Sequence, residues 1–250
     1  MNYGEKTVAD IVSENYKTAD VFKKHKIDFC CSGNISIEEA CAKRNISSEI
    51  VIEELNNLEL NNSMHQNISH WNLDFLCNYI VNNHHNYIRN NLSLLKQYAK
   101  KVASVHGKEH PELIKLRNTV FALLKELQPH LEKEEEILFK YINEMVETKR
   151  TNGIYEKPMF MTIANPIAAM HHEHDNAGDL IKEINELTNN FTLPENACKT
   201  YTVYFAKLKE FQDDLFQHIH LENNILFPKA IKFEKELVDG MGTKILNVIN

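Results

Sequence analysis

From Leu73 onward the apolar residues of this chain recur at steps of three and four rather than in alternation. Val81, His85, Ile88, Leu92, Leu95, Ala99 and Val102 form one such series, a stripe down one face of a helix. The pattern predicts four long helices at about 73–104, 111–148, 166–189 and 193–235. Asn165-Pro166 offers a cap followed by proline at the first helical position, and Thr192-Leu-Pro-Glu195 has the form of a capping box. Pro129 removes a backbone hydrogen bond inside the second pattern and predicts a kink just before His130, while Pro228 predicts a kink or interruption in the fourth. Short or moderate connections between long helices favour antiparallel neighbours, hence an up-down-up-down four-helix bundle.

The first 60 or so residues follow a shorter rhythm. Capping-box signals at Thr7-Val-Ala-Asp10 and Ser36-Ile-Glu-Glu39 open short helices, and Asp28-Phe29-Cys30-Cys31-Ser32-Gly33-Asn34 ends as a turn. The asparagine-rich stretch from Asn56 to Asn72 reads as a linker. We therefore expect an all-α chain of two domains, a small N-terminal one over 1–60 and the bundle over 73–235. Seven glycines and six prolines in 250 residues agree with long helices.

A net charge of -7 and a pI near 6.0 provide no basic field for nucleic acid or anionic lipid, and no apolar stretch reaches the roughly 18 residues of a membrane helix. The opening residues lack the charged and apolar regions of a secretory signal. Five cysteines, two of them adjacent, do not read as a disulfide framework. A cytoplasmic location is the expectation.

One phrase occurs twice. His130-x3-Glu134-x2-Ile137-Leu138-Phe139 returns as His218-x3-Glu222-x2-Ile225-Leu226-Phe227. On a helix the Glu lies about 40° around from its His and roughly 6 Å further along, so both face one neighbour. A two-metal site would take one more histidine from each of the other two helices. His85 lies on the apolar stripe and His84 one residue off it; of His171, His172 and His174, spacing favours His174, since 130 − 85 = 45, 174 − 130 = 44 and 218 − 174 = 44. Two imidazoles per metal, with Glu134 and Glu222 each bridging, leave positions for a bridging oxygen and an outside ligand. Mixed nitrogen and carboxylate donors suit iron better than structural zinc, with manganese and a catalytic zinc pair as alternatives.

These segments, together with His84-His85-x6-Leu92 and Glu173-His174-Asp175-x2-Gly178, resemble the hemerythrin-like domain of the repair-of-iron-centres (RIC) family. The turn Asp28-Phe29-Cys30-Cys31-Ser32-Gly33 resembles that family's ScdA-type N-terminal domain. The resemblance implies a non-haem centre of two bridged iron ions held by His85, His130, Glu134, His174, His218 and Glu222. It further implies a stress-response role in restoring iron-sulfur clusters damaged by nitric oxide or peroxide, as an iron donor to the damaged proteins. A sensor or store of nitric oxide or dioxygen, and a nitric oxide or peroxide reductase, are the other readings; a homodimer is left open. Oxygen-carrying hemerythrins divide five histidines unevenly, and the even repeat here departs from them.

Cys30 and Cys31 are the candidate redox or iron-transfer thiols. Glu132, Glu135, Glu136 and His220 point away from the ligands by helical phase and read as solvated. His106 and His110 read as cap or surface residues, Cys41, Cys77 and Cys198 as packing residues, and His25, His65 and His70 carry no signal.

Overall fold

The computed structural model describes Tyr3 and residues 6–15, 17–60 and 68–248. Part of the expected linker, residues 61–67 with His65, lies outside the described residues. Four short helices come first: α1 (Val8–Glu14), α2 (Thr18–Lys24), α3 (Ile37–Ala42) and α4 (Ser48–Leu60). The Thr7 capping box closes in both directions with Asp10, whereas Ser36 makes its half by accepting from the Glu39 amide. Between α2 and α3 the Asp28 carboxylate accepts from the amides of Cys30 (2.9 Å), Cys31 (3.1 Å) and Ser32 (3.2 Å), which winds the cysteine turn tightly. Gly33 is required there, because a Cβ would sit 2.5 Å from the Phe29 carbonyl oxygen.

The bundle follows as four long rods. The first joins α5 (Leu73–Ile80) to α6 (Asn86–His106) through a π segment, Val81–His85. The second joins α7 (Glu112–Lys133) to α8 (Lys140–Thr151) through the π segment Glu134–Phe139. The third is α9 (Ala164–Leu187), and the fourth joins α10 (Lys199–Leu221) to α11 (Phe227–Val248) through the π segment Glu222–Leu226. No strand occurs among the described residues; a lone bridge pairs Thr7 with Ser36. The chain is all-α, as the periodicity predicts.

Several boundaries differ from expectation. The fourth rod starts at Lys199 with Cys198 as its cap, not at Thr192, because Pro194 to Ala197 close a turn instead (Ala197 amide to Pro194 carbonyl, 3.0 Å). The third starts ahead of Asn165-Pro166, and its first free amide, on Ile163, is accepted by the buried Glu234 carboxylate at 3.0 and 3.1 Å. The second helix runs on through Pro129. Pro228 has no amide hydrogen to return to Asn224, and the fourth rod's irregularity is the wide π turn there rather than a break.

Two apolar clusters make the core. One unites the N-terminal unit with α6, α7, the later part of α9 and α10, through residues such as Phe22, Val51, Leu95, Leu124 and Phe211. The other gathers α5, α8, the start of α9 and α11 around Leu76, Ile142, Met170 and Leu226. Between them, at one level of the bundle, lies a layer of buried histidine and glutamate.

Candidate metal centre

That layer consists of His85, His130, Glu134, His174, His218 and Glu222, all buried; both glutamates are fully so. These are the six residues expected from the repeat. They form two overlapping groups, His85, Glu134, His218 and Glu222 on one side and His130, Glu134, His174 and Glu222 on the other. Within each group the Nε2 atoms converge, at 3.1 Å for His85 and His218 and 3.2 Å for His130 and His174. Each carboxylate divides its oxygens between the groups. Glu134 turns Oε2 toward His85 (3.4 Å) and Oε1 toward His130 (3.3 Å), while Glu222 turns Oε1 toward His218 (2.9 Å) and Oε2 toward His174 (3.3 Å).

The electrostatics ask for a cation. Both Glu134 oxygens and Glu222 Oε2 are buried without a hydrogen bond, an arrangement that costs several kcal/mol unless positive charge sits beside them. Protons supply some of it. Burial works to keep the His85 and His174 imidazoles neutral, yet the facing glutamates raise them to about 10 and about 9. Burial likewise works against the Glu222 carboxylate, which the neighbouring imidazoles hold well below the usual carboxylate range, while burial pushes His218 down. Two nitrogens and two carboxylate oxygens per side form a donor set that fits a paired iron site.

The far sides of the rings fix their orientation. His85 Nδ1 donates to Glu135 (2.6 Å), which Arg89 holds at 2.8 Å; His130 Nδ1 donates to Glu173 (2.8 Å), which Lys133 holds. His174 Nδ1 donates to the Asn223 side-chain oxygen at 2.8 Å. A carboxylate or amide oxygen can only accept, so these three imidazoles present Nε2 inward as the ligand nitrogen. His218 Nδ1 has no such partner among the described residues.

Helical phase left His84 open and misjudged two other neighbours. His84 is buried as deeply as the ligands, donating to Asp214 at 3.0 Å and stacking on His218 with ring centroids 5.8 Å apart, because the π segment swings both residues inward. Glu135, expected in solvent, is the anchor of His85; the π turn that begins at Glu134 brings it round. His220, also expected in solvent, is fully buried, since the N-terminal unit covers that side of α10: its Nδ1 donates to the Phe29 carbonyl at 3.2 Å and its ring meets the Phe29 ring. Burial lowers it to about 4. His172 is exposed and His171 rests on Phe227, so neither enters the layer.

The cysteine turn docks against the same rod. Asn224 Nδ2 donates to the Cys30 carbonyl at 3.1 Å, and Asn223 Nδ2 does so at 3.3 Å. Cys30 and Cys31 are free thiols with Sγ atoms 3.7 Å apart. Hydrogen bonding to Cys31, burial and the Asp28 charge push the Cys30 thiol well above its usual range, so of the two the half-buried Cys31 is the better nucleophile. Cys41 and Cys77 are buried packing residues, but Cys198 is exposed, with His106 Nε2 3.1 Å from its sulfur at the end of α6 away from the metal layer. His110 sits with Glu112 (3.1 Å) beside them.

Comparison with known proteins agrees with this geometry. Residues 78–230 match the model described as the hemerythrin HHE cation binding domain, and residues 4–59 match ScdA_N, described as a domain of unknown function. The iron-sulfur cluster repair protein ScdA of Staphylococcus haemolyticus is 31% identical over 90% of this chain and 97% of its own length. The iron-sulfur cluster repair proteins YtfE of Edwardsiella ictaluri and Musicola paradisiaca are each 32% identical, over 92% and 94% of this chain and 99% and 100% of their own. The chain belongs to the ScdA/YtfE family. The resemblance read from the motifs is therefore to the right family, and the buried histidine and glutamate layer falls within the part matched as cation binding. No helix among the described residues is long and apolar enough to cross a membrane.

Proposed function

We propose that His85 and His218 hold one iron ion, His130 and His174 a second, and Glu134 and Glu222 bridge them, and that the protein restores damaged iron-sulfur clusters by giving up iron. The observation that carries the site is the division of each glutamate's two oxygens between the two imidazole pairs. The iron-sulfur repair role of the named relatives supports the functional half. Four protein donors per ion leave open positions, and bound iron would supply Lewis acidity and one-electron chemistry there. The chain's own part is to orient the imidazoles through Glu135, Glu173 and Asn223 and to keep the layer dry between two apolar clusters.

The division into an N-terminal unit over 1–60 and a bundle over 73–235 assigns distinct tasks. The bundle stores iron, and Cys31, at the turn tied to Asn223 and Asn224, is the thiol that meets an acceptor or an electron donor. The deciding experiment loads the full chain with ferrous iron without air and adds an iron-sulfur enzyme inactivated by nitric oxide. Recovery of the enzyme with matching loss of iron from the protein is expected; no recovery where a ferrous salt succeeds would refute donation. A second reading, reversible binding of nitric oxide or dioxygen, is favoured by a cavity of about 190 Å³ that reaches His130 and His174. It would appear as ligand binding without iron loss.

A further inference from the structure

We propose that the two halves of the layer are inequivalent, with the His130–His174 position the one at which metal enters and leaves and the His85–His218 position the one that retains it. This rests on the two-iron reading and adds which ion is exchangeable.

An ion leaves a site by trading its donors one at a time for water or a chelating group, which requires room beside those donors. Such room lies beside His130 and His174. The cavity of about 190 Å³ between α7, α9 and α10 is lined by His130 and His174, walled by Leu127 and Ala177, and open between Pro129, Lys133 and Asn176. Neither His85 nor His218 borders it. Their rings are covered instead: His85 lies against Phe139, with centroids 5.6 Å apart, and His218 against His84. On the other side Phe227 covers His174, but the described ring contact of His130 is with His174 itself. Exposure follows the same order, 0% for His85 and His218, 2% for His174 and 5% for His130.

The anchors point the same way. His130 is oriented by Glu173, whose other oxygen pairs with Lys133 at the cavity mouth, so a chelating anion drawn to that lysine competes with the group holding the ring. His174 is oriented by a neutral amide, Asn223, which also reaches the Cys30 carbonyl.

The test follows iron released from the anaerobically loaded full chain into excess ferrous chelator. Two phases of one ion each are expected. Asn176→Trp, an exposed change at the mouth, should slow the fast phase several-fold and leave the slow one; Lys133→Ala, which removes the charge that draws an anionic chelator in, should slow the fast phase too. Asn86→Trp, an equally exposed change next to His85, should alter neither. Crystals of half-depleted protein should show iron anomalous density between His85 and His218. Loss of both ions in one phase, or residual iron between His130 and His174, overturns the assignment while leaving the two-iron reading intact. Uptake of fewer than two ions overturns that reading, and this one with it.

Discussion

The two apolar clusters on either side of the metal layer are built differently. The larger one follows ordinary helical periodicity along α6, α7 and α10 and extends into the N-terminal unit, so its helices are fastened by Leu95, Leu124 and Phe211 whatever the layer contains. The smaller one takes up Leu138, Phe139, Ile225 and Leu226 of two π segments together with α5, α8, the start of α9 and α11, and among the described residues it contains none of the N-terminal unit. The first can hold together through apolar contact, whereas the second is joined to it through buried carboxylates that need compensation. The layer proposed to hold metal therefore also couples two cores.

Removing metal should break that comparison most strongly. Chelation is expected to lower the melting temperature and, in hydrogen exchange, to loosen amides of α5, α8 and α11 before those of α6 and α7. Equal loosening of both clusters would contradict the coupling. Glu222→Ala comes next: it removes a bridge from both positions, so iron content should fall from two to near zero, read by metal analysis. Core truncations follow, each costing about 2–5 kcal/mol in chemical denaturation. Leu124→Ala should cost the same with and without metal, while Leu226→Ala should cost more without it.

Smaller effects sharpen the same picture. Glu135→Gln or Glu173→Gln should weaken iron binding by roughly 10-fold or more at the position its histidine serves, measured by chelator competition, with little change in the metal-free melt. Thiol labelling gives the finest distinction. A thiol held high carries less thiolate at a given pH, so at pH 8 iodoacetamide should modify Cys31 and Cys198 well before Cys30, and Cys30 should catch up only as pH rises further. Peptide mapping with Cys30 labelled first would show that the turn opens in solution.

What could be seen in the sequence divides along physical lines. The six layer residues were legible because two copies of His-x3-Glu carry their own apolar tail and fix the phase of two helices, and the stripe through His85 fixes a third. His174 followed from spacing alone. Glu135 was misread, and the burial of His84 left unread, because a 3.6-residue wheel cannot represent a π turn, which no residue type announces. His220 was misread for another reason: its phase on α10 was right, but the surface it faces is supplied by Phe29, nearly two hundred positions earlier in the chain. The false capping box at Thr192 shows a local signal overruled by a turn that Pro194 prefers.

The π segments make the site a matter of counting. In three of the four rods a widened turn sits where the layer is built, and α9 alone among the described rods reaches it as ordinary helix. A π turn holds one residue more than an ordinary turn and leaves the helix on either side in phase, so deleting a single residue from Glu134–Phe139 would return that stretch to ordinary helix without turning what lies beyond it. Tyr141, Ile142 and Met145 would then keep the core they now occupy, while Glu135 would lose the turn that brings it to His85. Insertions and deletions are usually tolerated in loops and damaging in helices for reasons of burial; here a widened turn can absorb or release one residue while the rods keep their register, and the penalty falls on the aim of the side chains that the turn carries.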